Sequence, residues 1–267
     1  EEAERERIVA AGWLPSLEGL EALERVGSLE LKGVAAPDLE AFSSLRNLAS
    51  GDDPSSVGVL EIWGAKNLVD LRGLENARGI GEVGLYDMPL LESLTGLTLT
   101  ASFDGDVSLG DCPLLTDVAA LEPLESFEFL TITNTGLQNL DPFDGWLSIR
   151  YIQIEDNLAL TDLSGLGQGS FARLWVEGNP QLVTIPEFVN GMSQSEIRIV
   201  DNASLENLFL SFQTAIAQIS HEERSYYIGK DWIDISDNPK LRTITIFEHE
   251  EEGDSHLGLL SGQLFRA

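Results

Sequence analysis

The sequence predicts a β-rich repeat solenoid with one parallel sheet, few short helices and a cap at each end. Three observations predict it. A run reading "hxhxxNPxLxxL", with h apolar, recurs along nearly the whole chain, most clearly as "ARLWVEGNPQLVTI", "IRYIQIEDNLALTDL", "SEIRIVDNASLENL" and "DWIDISDNPKLRTI". Aligning the second apolar residue of each copy gives Leu31, Ile62, Leu85, Leu109, Ile132, Ile154, Val176, Ile199 and Ile235, separated by 31, 23, 24, 23, 22, 22, 23 and 36 residues. A near-constant period of about 20 to 29 residues marks stacked coils that share one core. The apolar positions after each pair recur every third residue, as in Leu91, Leu94 and Leu97. That spacing suits a tight turn or a 3₁₀ segment and leaves little room for long helices.

The elements follow in chain order as a single solenoid domain over residues 1–267. Residues 1–12 are rich in the helix formers Glu, Arg and Ala, and with Leu14, Leu17 and Leu20 behind them they predict a helical N-terminal cap over residues 1–28. About nine repeats occupy residues 29–247. In each, an alternating apolar pair such as Ile152 and Ile154, or Leu174 and Val176, predicts a short strand with both side chains inward. The spacing of 36 before Ile235 marks an insertion near residues 211–229, whose "SFQTAIAQISHEERSYYIG" alternates like a helix and is expected to project from one edge. Residues 248–267 open with the solvated run "EHEEEGDS" and end in "HLGLLSGQLFRA", apolar enough to fold back as a C-terminal tail or cap.

Composition narrows the functions. The formal charge is −29, from 45 acidic and 16 basic residues, and the resulting field repels phosphate backbones and anionic membranes. Nucleic acid is therefore not an expected partner, whereas cations, weakly held calcium and neutral sugars are allowed. No apolar run approaches the roughly 18 residues of a membrane-crossing helix, so no transmembrane segment is expected. The single cysteine, Cys112, rules out an internal disulfide framework. It falls in the slot that later copies fill with Asn157, Asn179, Asn202 and Asn238, while earlier copies place Val34, Ala65, Met88 and Thr135 there. Cys112 is read as structural, and a continuous ladder of inward hydrogen bonds is expected only in the second half.

The later copies carry two residues between the Asn and the next Leu, as in Asn179, Pro180, Gln181, Leu182 and Asn238, Pro239, Lys240, Leu241. This spacing resembles the receptor L domain, the right-handed β-helix-like leucine-rich-repeat unit of growth-factor and insulin-type receptors, and similar repeats of bacterial surface proteins. The resemblance covers residues 29–247 and lacks the cysteine-rich flanks of the receptors. It implies a secreted, periplasmic or cell-surface protein that binds a ligand or a protein and has no catalytic residues to carry over. It also implies that the Asn/Cys slot turns inward to bond the backbone of adjoining coils.

The register predicts three outward columns on the sheet. Before the inward pair come Ser28, Val59, Glu82, Asp106, Phe129, Tyr151, Arg173, Glu196 and Trp232; within it Glu30, Glu61, Gly84, Ser108, Thr131, Gln153, Trp175, Arg198 and Asp234; after it Lys32, Trp63, Tyr86, Gly110, Thr133, Glu155, Glu177, Val200 and Ser236. Trp63 beside Tyr86, Phe129 beside Tyr151, Trp175 and Trp232 form aromatic rows. Such rows serve either cross-strand packing or the binding of sugar faces and protein partners. Carboxylates also become neighbours, Glu30 with Glu61, Glu82 with Asp106 and Glu155 with Glu177. Adjacent strands hold them roughly 5 Å apart, near the separation of a retaining glycosidase. No metal-ligand spacing joins His221, His249 and His256, and no phosphate loop or partnered nucleophile is present.

The reading that follows is a non-enzymatic recognition module, without cofactor or metal, that binds a protein or glycan through the sheet face at Trp63, Tyr86, Phe129, Tyr151, Trp175 and Trp232. The alternatives are a carbohydrate-active enzyme using paired carboxylates on that face, and a calcium-stiffened structural or adhesive spacer.

Overall fold

The computed structural model describes residues 7–14, 16–49, 57–101, 103–167, 169–186, 196–212, 225–228 and 231–248. They form a β-solenoid of parallel sheets with almost no helix. The chain gathers into two compact units, Glu1–Gly136 and Leu137–Ala267.

The first unit contains β1 (Arg7–Leu14), β2 (Arg25–Val26), β3 (Ser28–Val34), β4 (Asn47–Leu48), β5 (Gly58–Trp63), β6 (Ile80–Tyr86), β7 (Asp106–Cys112) and β8 (Ser126–Thr135). Its main sheet runs β1-β3-β5-β6-β7-β8, every pair parallel, with a register shift between Ala11 and Leu14 on β1 and another between Gly58 and Val59 on β5. The register places Leu29 beside Leu60 and Leu31 beside Ile62, and each coil adds its apolar pair to the same two inward stacks. Those side chains are fully buried through Ile132, which is the stabilisation that holds coils too short to fold alone.

The second unit contains β9 (Ser148–Glu155), β10 (Arg173–Glu177), β11 (Thr184–Ile185), β12 (Glu196–Val200), β13 (Asn207–Phe212), β14 (Ser225–Ile228), β15 (Asp231–Asp234) and β16 (Thr243–Glu248). Strands β9, β10, β12 and β15 are parallel neighbours, β14 closes on β15 in antiparallel fashion, and β11-β13-β16 make a second parallel sheet. Four 3₁₀ turns, Glu40–Phe42, Ala119–Leu121, Asp141–Phe143 and Ser164–Leu166, sit where the three-residue apolar spacing predicts them.

Two recurring corners bend the coils, and both favour aspartate. After the main strand one residue adopts a left-handed conformation: Gly33, Gly64, Asp87, Asp111, Asn134, Asp156, Gly178, Asp201 and Asp237 occupy that column at φ of 50 to 66°. Gly, Asn and Asp are the residues that enter this region at least cost. Before the three-residue spacing a side-chain oxygen caps the backbone N–H two residues on. Asp38, Asp70, Ser93, Asp117, Asn139 and Asp162 each do so at 2.8 to 3.2 Å. Part of the acidic surplus is thus structural, since these carboxylates shape turns.

The N-terminal segment differs from expectation. Residues 7–14 form a strand, with Ile8 opposite Leu29 and Ala10 opposite Leu31. Helix propensity is a weak prior, and the open edge of β3 recruits the segment through backbone bonds that a helix would leave unpaired. The insertion near 211–229 lies mostly outside the described residues, which include only Ser211–Phe212 and the strand β14 from it. The tail beyond Glu248, and with it His249 and His256, also lies outside them, as does His221.

Candidate functional site

The outward columns of each unit bring aromatic and carboxylate side chains next to one another. The observed pairing places Ser28, Val59, Glu82, Asp106 and Phe129 in one column of the first unit, Glu30, Glu61, Gly84, Ser108 and Thr131 in the next, and Lys32, Trp63, Tyr86, Gly110 and Thr133 in the third. In the second unit Tyr151, Arg173, Glu196 and Trp232 align, as do Gln153, Trp175, Arg198 and Asp234, and Glu155, Glu177 and Val200. Four residues of the outward columns are covered: Glu30, 5% exposed, Val200, 7% exposed, and the glycines Gly84 and Gly110.

Trp63 and Tyr86 form the most developed feature of the first unit. Their rings stack with centroids 4.1 Å apart at an interplanar angle of 25°. Tyr86 can lie down on the sheet because the residues beneath it are glycines. A Cβ at Gly84 would stand 2.8 Å from Tyr86 Cε2, and one at Gly110 would stand 3.0 Å from Cδ1. Trp63 is 40% exposed, and its indole Nε1–H donates to Glu61 Oε1. The result is a flat aromatic platform, held at its edge by a carboxylate and open on its outer face.

Beside it lie Glu30, Glu61, Glu82 and Asp106. Burial holds the Glu82 carboxyl above the usual carboxylate range, and the nearby charges of Asp106, Glu61 and Glu30 raise it further. Burial likewise raises Asp106, partly offset by a hydrogen bond from the Phe129 backbone. The cations in these columns are Lys32, whose Nζ stands 3.8 Å from Glu30, and Arg7 on β1, three strands from Glu82. Phe129, on β8, is 39% exposed.

The corresponding face of the second unit carries its own cations. The Arg173 guanidinium lies over both the Tyr151 and Trp175 rings, 4.9 and 5.3 Å from their centroids, and its Nε is 2.7 Å from Glu196. Arg150 also lies over Tyr151, at 5.4 Å. Arg198 joins Glu177 at 2.8 Å and Asp234 at 3.5 Å. Tyr151 and Trp175 are half-buried, and the covered Trp175 Nε1 has no hydrogen-bond partner among the described residues. Trp232 has a strand position opposite Glu196, and its side chain lies outside the described residues.

The inward slot is a backbone-satisfying device. Asn179 Nδ2 donates to Ile154 O and Glu177 O, Asn202 Nδ2 to Val176 O and Val200 O, and Asn238 Nδ2 to Ile199 O and Ser236 O, all at 2.8 to 3.0 Å. The backbone N–H groups of Asn157, Asn179 and Asn202 donate to the next amide oxygen along the ladder. Cys112 directs its thiol at the two equivalent carbonyls, Leu85 O at 3.9 Å and Gly110 O at 3.3 Å. Burial pushes that thiol up to about 11, so it is not a nucleophile near neutral pH.

Among the described residues no group of three or more His, Cys, Asp or Glu side chains is arranged to hold a metal ion, and no helix is long and apolar enough to cross a membrane. The sequence reading missed two things here: the glycine floor under Tyr86 and the arginines that occupy the second aromatic row. Both were present as column neighbours, Gly84 and Gly110 around Tyr86, and Arg173 between Tyr151 and Glu196. No family model, curated protein or solved structure matches the chain.

Proposed function

We propose that this chain is a non-catalytic recognition module of the leucine-rich-repeat, receptor L-domain-like kind, acting in a secreted, periplasmic or cell-surface setting. It binds a protein or polysaccharide through the outer face of its parallel sheet. The observation that carries this reading is the Trp63–Tyr86 platform, stacked at 4.1 Å with Trp63 40% exposed. A large, rigid, open aromatic surface buries area at low entropic cost when a ligand covers it. The second aromatic row is occupied by Arg173, so the binding face centres on the first unit.

The test is binding of the purified protein to an array of glycans and surface proteins beside Trp63→Ala and Trp175→Ala. The expected result is a saturable hit lost in Trp63→Ala and retained in Trp175→Ala. A hit that Trp63→Ala retains would overturn the reading.

One observation favours a second reading, a carbohydrate-active enzyme: Glu82 and Asp106 are cross-strand neighbours and both are raised. It requires release of reducing sugar from a polysaccharide, abolished by Glu82→Gln.

A further inference from the structure

The two units present the same three columns of one solenoid pattern, but they differ in who supplies the cation. In the second unit every described aromatic of the columns meets a guanidinium of this chain, Tyr151 and Trp175 through Arg173, and three carboxylates, Glu196, Glu177 and Asp234, are paired by Arg173 and Arg198. In the first unit the columns hold Glu61, Glu82 and Asp106, and the Lys32 ammonium of the same columns stands by Glu30. Among the described residues no guanidinium lies over Trp63 or Tyr86. The chemistry that the second face satisfies from within is left open on the first.

Resting on the recognition reading above, we propose that the first unit's face docks an arginine-bearing segment of a partner protein, with one guanidinium stacked on the Trp63–Tyr86 platform and further basic side chains paired with Glu61, Glu82 and Asp106. The distances fit an extended segment. Glu82 precedes Tyr86 by four residues on β6, which at about 3.3 Å per residue is about 13 Å. Basic residues four apart on an extended strand span the same length. Arginine is favoured over lysine because its planar, weakly hydrated guanidinium stacks on aromatic faces and forks onto paired carboxylates. The net charge of −29 steers a basic segment toward the protein, and the platform fixes where it lands.

The test uses the full chain and two probes of equal charge, hexa-arginine and hexa-lysine peptides, at physiological salt, where unscreened attraction reaches only about 8 Å. Hexa-arginine is expected to bind at least about fivefold more tightly than hexa-lysine. Trp63→Ala removes that preference and Trp63→Phe retains most of it. The double variant Glu82→Gln, Asp106→Asn weakens both peptides about tenfold, whereas Glu122→Gln, Glu125→Gln, exposed carboxylates of the same unit outside the columns, changes neither. The proposal is overturned if hexa-arginine fails to bind, if its preference survives Trp63→Ala, or if the control pair loses as much as the column pair. A glycan or neutral-protein hit lost in Trp63→Ala, with no preference for hexa-arginine, would overturn the arginine partner while leaving the recognition module in place.

Discussion

Replacing Asn179 by Ala tests whether the inward amides hold the coils of the second unit together. The Asn179 side chain accepts from the Asn157 backbone N–H at 3.0 Å and from Asn157 Nδ2 at 3.2 Å. It donates toward Ile154 O, Glu177 O and Asn202 Oδ1 at 3.0, 3.0 and 3.2 Å. With two hydrogens for three acceptors, it supports four bonds at most, each worth about 1 kcal/mol net in a fully buried site. Alanine removes all four and leaves the Asn157 N–H facing a void, so the loss should be about 4 kcal/mol. That is a large share of the roughly 5–15 kcal/mol that stabilises an ordinary domain. The assay is urea unfolding followed by circular dichroism, with amide hydrogen exchange at Asn157 as the local readout. Asn157 should exchange faster in proportion to the global loss or more. A loss below about 1.5 kcal/mol with Asn157 protection unchanged would refute the reasoning, because it would mean that the coils are held by apolar stacking alone.

The same slot in the first unit predicts the opposite scale. Cys112→Ala removes a weakly bonded thiol and should cost about 1–2 kcal/mol, and the native thiol should resist maleimide at pH 8 until the protein unfolds; prompt labelling of folded protein would contradict its burial. That thiol is raised from an ordinary 9.0 to about 11, so the folded state keeps its proton longer than the unfolded chain. Its contribution to stability is complete below pH 9 and is lost as pH rises toward 11, a slope that Cys112→Ala should abolish. Glu82 and Asp106 are also raised, so their protonated forms favour folding and stability falls as pH climbs out of the carboxylate range. Glu82→Gln should therefore stabilise the protein at pH 7, by less than about 1 kcal/mol given solvent screening, and leave it unchanged under acid conditions; destabilisation at pH 7 would contradict this. Gly96 stands at φ +103° with a hypothetical Cβ 2.2 Å from Leu71 O, so Gly96→Ala should cost about 3 kcal/mol or more in urea unfolding. Gly84→Ala should push Tyr86 off Trp63 and collapse their coupled near-ultraviolet dichroism while far-ultraviolet dichroism stays native; an unchanged near-ultraviolet spectrum would refute the floor beneath the platform.

What the sequence made legible was periodic, and what it hid was not. The inward pair sets the register, and a period-2 strand has only two faces, so Leu31, Ile62, Leu85, Leu109 and Ile132 place every outward neighbour on the first sheet with no further information. The strand at Arg7–Leu14 escaped because the Glu, Arg and Ala of residues 1–12 favour helix and outweighed its own Ile8, Val9 and Trp13, and the edge that claims it is a tertiary fact. The aspartate corners escaped for a different reason. Asp87, Asp111, Asp156, Asp201 and Asp237 recur with the period, but on composition alone they merge with the rest of a highly acidic surface. Their left-handed φ separates them from Glu82 and Asp106, which bend nothing and share an outward column, Glu82 exposed and Asp106 half-buried. Acidity that shapes turns is needed whatever the protein binds. The raised pair beside the platform costs stability at neutral pH, and a basic partner would offset that cost.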